Sequence, residues 1–441
     1  MTQAELTARY GAVMMNAFGA PKRIFERGEG VHLWDADGRQ YTDLLSGLAV
    51  NALGHAHPGV TQAITEQLGR LGHVSNFYAS EQQIRLAERL AKLTGDPVAR
   101  VFFTNSGTEA NEAAFKLTRL TGRTRIVAME GSFHGRTMGA LAITANAKYR
   151  EPFEPLPGDV TFVPYGDVEA LKDAVDETVA AVVVEAVQGE NGVVPAPDGY
   201  LAAVRNVTDA HGALMWVDEV QTGLGRCGEY FAHLAAGPRA DLITLAKGLG
   251  NGFPVGACIA TGKAGDLLQP GQHGTTFGGN PVAAAAGNAV LDALEGGVLD
   301  DARATGRWLA DAVRALDHPL VDHVRGRGML LGVVLTKEVA APVADAALDA
   351  GFIINAPRPH VLRLAPPLIS TRSDLQPFID ALPALLDNAL VGPATSTLVE
   401  PATSTLVEPA TPTLVEPATP TLVEPASSAS SVETPEAPRR A

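Results

Sequence analysis

Lys247 closes a run of apolar residues and can do covalent chemistry. It follows Leu242-Ile243-Thr244-Leu245-Ala246 and precedes Gly248-Leu249-Gly250-Asn251-Gly252. Desolvation at such a place lowers an ammonium pKa and leaves an amine able to form an imine. A lysine merely emerging at a strand end would look the same, so its companions decide. Asp218 closes a second apolar run, Leu214-Met215-Trp216-Val217-Asp218, and leads into Glu219-Val220-Gln221-Thr222-Gly223. An imine-forming lysine and a buried carboxylate that keeps a pyridine nitrogen protonated are the pair that pyridoxal phosphate chemistry requires. Ser106-Gly107-Thr108-Glu109-Ala110-Asn111-Glu112 adds a phosphate cradle. There a strand passes through glycine into an alanine-rich helix, whose first N–H groups and dipole attract an anion. The same residues also read as an ordinary N-cap, with Ser106 capping and Glu109 three positions on.

The elements that must position these residues are seven short, β-branched apolar runs. They are Val101-Phe103, Ile126-Met129, Thr161-Val163, Ala181-Glu185, Leu214-Asp218, Leu242-Ala246 and Gly256-Ala260, with helical periodicity between them. Apolar runs without alternation predict a sheet covered on both faces, hence an α/β fold with a mainly parallel seven-stranded sheet. Ligands of such sheets bind beyond the carboxyl ends of the strands. The segments Asn105–Glu109, Glu130–His134, Gln188–Glu190, Asp218–Gln221 and Lys247-Gly248 are therefore expected to converge on one crevice. The two chain ends read as a smaller α+β domain. The expected boundaries are 1–60 for its N-terminal part, 61–290 for the large cofactor-binding domain, 291–390 for the rest of the small domain and 391–441 for a tail.

The order and spacing of these motifs resemble the class III, fold-type I aminotransferases over about residues 17–390. The likeness rests on Asn105–Glu112, Phe133-His134-Gly135-Arg136-Thr137, Asp218–Gly223, Ala246-Lys247-Gly248 and His273-Gly274-Thr275-Thr276-Phe277-Gly278-Gly279-Asn280-Pro281. The resemblance implies pyridoxal 5'-phosphate as cofactor, with Lys247 as imine lysine and proton shuttle and Asp218 as partner of the ring nitrogen. Gln221 would bond the ring hydroxyl, Phe133 and Val220 would cover the two ring faces, and Gly107 and Thr108 would hold the phosphate. Thr276 would reach the phosphate in a neighbouring subunit, which implies a homodimer, and Thr275 would lie beside the substrate. Arg136 and Arg363 would hold substrate carboxylates. Glu190 would pair with Arg363 and hide it while an uncharged donor end is bound.

Within the class, Phe133–Thr137, His273–Pro281 and Arg363–Leu368 are most similar to the branch acting on N2-acetylornithine with 2-oxoglutarate, which implies a role in arginine biosynthesis. Ornithine, succinylornithine and 4-aminobutyrate remain alternative donors, and decarboxylases and aminomutases share Lys247 and Asp218. Phe18 stands where relatives often show tyrosine, at the donor-recognising end.

Composition sets the outer limits. The chain has 441 residues and a formal net charge of -15, with 49 acidic against 34 basic residues. Polyanionic partners such as nucleic acid or anionic lipid are repelled at long range, which leaves small-molecule enzymes. Cys227 and Cys258 have neither disulfide nor zinc spacing and fit a reducing compartment, and no metal site is expected. No run approaches the ~18 to 20 consecutive apolar residues of a membrane helix, and the N-terminus lacks a basic and apolar leader, so a cytoplasmic protein is expected. From Pro393 the octad Pro-Ala-Thr-Ser-Thr-Leu-Val-Glu repeats, with Pro412 and Pro420 replacing serine in later copies. Its prolines forbid a continuous helix and one Leu-Val pair per octad buries too little, so a disordered tail is expected.

Overall fold

A single seven-stranded sheet organises the protein, whose computed structural model describes residues 1–391. The expected repeat tail lies outside the described residues, apart from its first residue. In chain order the strands are β1 (Arg100–Thr104), β2 (Arg125–Met129), β3 (Val160–Val163), β4 (Val179–Glu185), β5 (Leu214–Asp218), β6 (Leu242–Leu245) and β7 (Gly256–Ala260). Their order across the sheet is β1-β7-β6-β5-β4-β2-β3. All neighbours are parallel except at β7, which runs antiparallel to both β6 and β1. The mainly parallel sheet inferred from the seven apolar runs is therefore present.

Both faces are buried, which is why the runs show no alternation. One face carries Val127, Met129, Val182, Val184, Met215, Val217, Ile243 and Leu245 into the main core. The other carries Ile126, Ala128, Val183 and Trp216 against Ala113, Ala114, Phe115 and Leu117 of helix α1 (Gly107–Arg119). Asp218 follows Trp216 by two residues on β5, so its side chain emerges on the α1 face at the carboxyl edge. Parallel pairing sets Asp218 beside Glu185 of β4 and Thr244 of β6.

The chain ends meet in smaller sheets. Phe25–Glu29, His32–Asp35 and Gln40–Asp43 form an antiparallel set, to which Phe352–Ile353 adds in parallel beside Gln40–Asp43. A second antiparallel sheet has the order Val321–Arg327, Leu330–Leu335, Val361–Leu364, Asn355–Arg358. The outer two of these strands are not evident from hydrophobic pattern, because Asp322, His323 and Arg325 interrupt one and Asn355 and Pro357 the other. The helix Pro281–Ala293 starts at Asn280, whose side chain accepts the N–H groups of Val282 and Ala283. Its continuation to Arg314 is long and apolar enough to cross a membrane, but 61% of its most apolar stretch is buried inside the protein, as in a core helix.

Candidate active site

Strand ends and the turns after them enclose a cavity of ≈ 370 Å³. All five polar segments expected to converge there supply lining residues: Asn105 to Thr108, Phe133-His134, Glu190, Asp218 with Val220 and Gln221, and Lys247. Arg136 also lines the cavity.

Asp218 is held from three sides. His134 Nδ1 lies 2.7 Å from Oδ2, Asn111 Nδ2 donates to the same oxygen at 2.8 Å, and the Val220 N–H donates to Oδ1 at 2.9 Å. Burial disfavours a charged imidazole, yet the Asp218 carboxylate outweighs it and raises His134 above the ordinary histidine pKa. Asp218 is thus fixed as an acceptor within a buried network.

Lys247 opens a short 3-10 turn, Lys247–Leu249, directly after β6. Its φ of +43° is in the left-handed region, a strained conformation for a residue with a side chain. Burial lowers its pKa, and the nearby Glu190 carboxylate partly restores it. An amine in this environment reaches its uncharged form more readily than one in water.

At the start of α1, Ser106 Oγ accepts the Glu109 N–H at 3.3 Å. The N-cap is therefore formed, and it leaves the N–H groups of Gly107 and Thr108 without a partner within the helix, as a phosphate cradle requires. A Cβ on Gly107 would stand 2.7 Å from Val220 Cγ1, so only glycine lets the cradle and Val220 come this close.

Arg363 is 1% exposed on an inner strand, between Leu330–Leu335 and Asn355–Arg358. It is not a surface arginine. Its Nε donates to Asn355 Oδ1 at 3.0 Å, and Nη1 donates to Glu190 Oε1 at 2.5 Å and to Gln221 Oε1 at 3.1 Å. Nη2 is buried and has no acceptor among the described residues. Burial alone would push Glu190 upward, but the Arg363 guanidinium prevails and holds it below the usual carboxylate range. Arg136 is exposed, its guanidinium 3.4 Å from the Tyr149 ring centroid and 5.7 Å from that of Phe133.

Thr275 reaches only the wall of the cavity, its Oγ1 accepting from Asn105 Nδ2 at 3.4 Å, and Thr276 stands apart. Neither lines the cavity; Thr275 Oγ1 accepts the Gly278 N–H at 3.1 Å within its own loop, and Thr276 is exposed. The placement of Thr275 beside a substrate is not seen in the cavity of its own chain. Phe18 is likewise 92% exposed.

Four residues that sequence reasoning gave no role belong to this site or touch it: Asn111, His134, Tyr149 and Glu185. Glu185 had a legible signal, since it ends an apolar run as Asp218 does. His134 and Asn111 reach Asp218 from 84 and 107 residues away, contacts that only the fold creates.

The donor set fits pyridoxal phosphate: an acceptor carboxylate fixed at one end, an open helix N-terminus at the other, an amine beside them and apolar Phe133 and Val220 for the ring faces. Fold and site together have the features of a pyridoxal-phosphate-dependent enzyme. The profile of the family described as aminotransferase class-III matches residues 15–386, and the chain belongs to that family. It is an aminotransferase for small-molecule substrates, with pyridoxal 5'-phosphate as cofactor. The acetylornithine aminotransferase of Mycolicibacterium smegmatis is 57% identical over 385 residues, covering 87% of this chain and 98% of that protein. Among solved structures, the N-acetylornithine aminotransferase of Stenotrophomonas maltophilia is 35% identical with a TM-score of 0.74, over 85% of this chain and 98% of that one. The ornithine aminotransferase of Toxoplasma gondii superimposes with a TM-score of 0.83 at 29% identity, over 88% and 96%.

Proposed function

We propose that this protein transfers the terminal amino group of N2-acetylornithine to 2-oxoglutarate, forming N-acetylglutamate 5-semialdehyde and glutamate in arginine biosynthesis. The observation that carries the reading is the Glu190–Arg363 pair at the cavity, together with the names of the relatives most similar to this chain. A transaminase must accept an uncharged donor end and a carboxylate in one place by turns. With Glu190 on Arg363, the guanidinium is neutralised for the donor; when Glu190 swings away, Nη1 and the unpartnered Nη2 present a fork to the carboxylate of 2-oxoglutarate.

When bound, the cofactor supplies the carbonyl that takes up the amino group and the ring that accepts electrons from the substrate carbon. The chain's own residues do the rest. Lys247 Nζ holds the cofactor and then moves a proton at the substrate carbon. Asp218, fixed by Asn111 and His134, keeps the ring nitrogen protonated. The N–H groups of Gly107 and Thr108 bind the phosphate, Phe133 and Val220 cover the ring, and Gln221 orients its hydroxyl. Arg136 takes the donor's α-carboxylate and the distal carboxylate of 2-oxoglutarate, while Arg363 takes the oxo acid's α-carboxylate.

The active unit in this reading is a homodimer in the cytoplasm, free of nucleic acid and membrane. Thr276 serves the neighbouring subunit's cofactor and Thr275 lies beside the substrate there. Exposure of Met15, Phe18, Phe77 and Tyr78 supports it, since these large apolar side chains otherwise face water. Residues 61–290 form the cofactor domain, 1–60 and 291–390 the small domain and 391–441 an appended tail.

Mixing the loaded enzyme with a panel of ω-amines and following the cofactor absorbance tests the substrate. Acetylornithine should discharge it fastest; faster discharge by ornithine, succinylornithine or 4-aminobutyrate would move the assignment to that donor.

A further inference from the structure

We propose that Glu185 is a positioning residue which, on the transamination reading above, ties the loop carrying Phe133 to the turn carrying Glu190 and so sets the ring cover and the Arg363 switch as one unit.

Glu185 ends β4 and is 5% exposed. Its Oε1 accepts the Phe133 N–H at 3.1 Å, and its Oε2 accepts the Gly189 N–H at 3.4 Å. Gly189 directly precedes Glu190, and Phe133 directly precedes His134, which holds Asp218. One carboxylate therefore spans two loops that the sequence separates by more than fifty residues. Gly189 is also pressed onto the Gln221 side-chain amide, where no Cβ would fit, so a shift of this turn would carry Glu190 and Gln221 with it. These two side chains are the ones that contact Arg363 Nη1.

The tie requires two acceptor oxygens. A carboxylate has them; a protonated carboxyl has one good acceptor and a hydroxyl that must donate. Burial, with the in-register Asp218 carboxylate adding to it, raises Glu185 to about 7, while His134 opposes the rise. The charged or titratable groups around it are His134 from the loop after β2, Asp218 on β5, Lys247 after β6, and Tyr165 after β3, whose hydroxyl donates to the Glu185 carbonyl at 2.7 Å. The tie is thus complete above neutrality and half-made below it.

Amide hydrogen exchange in the wild-type holoenzyme tests this without reference to turnover. Protection of the Phe133 and Gly189 N–H groups, taken relative to β2 amides, should rise as pH increases through about 7; a flat ratio would overturn the proposal. In Glu185→Gln, one acceptor becomes a donor, so protection of one of the two amides should fall about tenfold and the pH step should vanish. The same variant should raise KM for 2-oxoglutarate more than it lowers kcat, because the Arg363 switch is displaced. Equal loss in both, with unchanged exchange, would also sink the idea. A wild-type enzyme that discharges with no amine defeats the transamination reading alone, since the exchange measurement still decides the role of Glu185.

Discussion

In the proposed reaction Lys247 has to carry a proton at one stage and be an uncharged amine at another. Burial supplies the second condition and the neighbouring Glu190 carboxylate the first. Lys247→Ala removes the only amine lining the cavity among the described residues, so turnover should fall by roughly a hundred- to ten-thousand-fold, measured as kcat with saturating donor. Glu190→Ala leaves Arg363 Nη1 without its closest acceptor. Glutamate, which brings its own carboxylate, should then discharge the cofactor faster relative to the ω-amine donor; an unchanged ratio of the two turnovers would rule out the switch. The pH direction follows from the depressed Glu190 pKa. The pair's stabilisation is complete above the ordinary carboxylate value and is lost only as pH falls through the lower, folded-state value. The ion pair itself should therefore persist from neutrality down to about pH 4.5, so that a change of donor selectivity near pH 7 would come from the Glu185 tie and not from loss of the pair. At this scale the sequence was informative wherever a residue closed an apolar run or began a helix, as Lys247, Asp218 and Gly107 do. It was silent about His134 and Asn111, whose roles come from touching Asp218.

Helix α1 and strands β4 and β5 carry most of the positioning. Parallel register alone puts Glu185 beside Asp218, and helix periodicity puts Asn111 one turn in from the Gly107 cradle, over the end of β5. Two substitutions separate the two roles of the α1 start. Ser106→Ala removes the cap on Glu109 N–H and should cost about 1 kcal/mol, seen as a lower Tm with cofactor affinity little altered. Gly107→Ala should act chiefly on the cofactor: its Cβ presses on Val220, so affinity for pyridoxal phosphate should drop by about tenfold in a spectrophotometric titration, on top of a loss of Tm from the crowding itself. If both variants show the same profile, cradle and cap are not distinct functions. The seven strands of the large sheet were legible because burial on both faces forces unbroken apolar runs. Val321–Arg327 and Asn355–Arg358 were not, because outer strands of a smaller sheet tolerate polar residues on their open side.

Across the whole molecule, the exposed apolar side chains are the feature that a single chain leaves unexplained. Phe77 is 94% exposed and Tyr78 71%, and Asn76 beside them donates to the carbonyls of Thr275 and Gly278. This apolar segment is thereby fixed to the loop bearing Thr275 and Thr276. If the proposed homodimer is the active unit, the wild-type protein should sediment at twice 45.9 kDa, and Phe77→Asp should reduce this to the mass of one chain and lower activity with it. A fully active monomer would refute the shared site. Net charge belongs to this scale too: acidic residues are in excess over the whole chain, whereas the cavity gathers Lys247, Arg136 and, behind Glu190, Arg363.

By itself the sequence determined the α/β class, the strand ends and the cofactor chemistry. Each of these depends on local pattern: period of burial, a glycine at a helix start, a charged residue after an apolar run. Only the tertiary structure decided that Arg363 is buried and engaged with Glu190 at a separation of 173 residues, that His134 and Asn111 hold Asp218, and that Glu185 bridges two loops. The physical reason is the low dielectric of a packed interior. There a charge is tolerated only beside a partner, and the partner is supplied by whichever strand the fold places next to it.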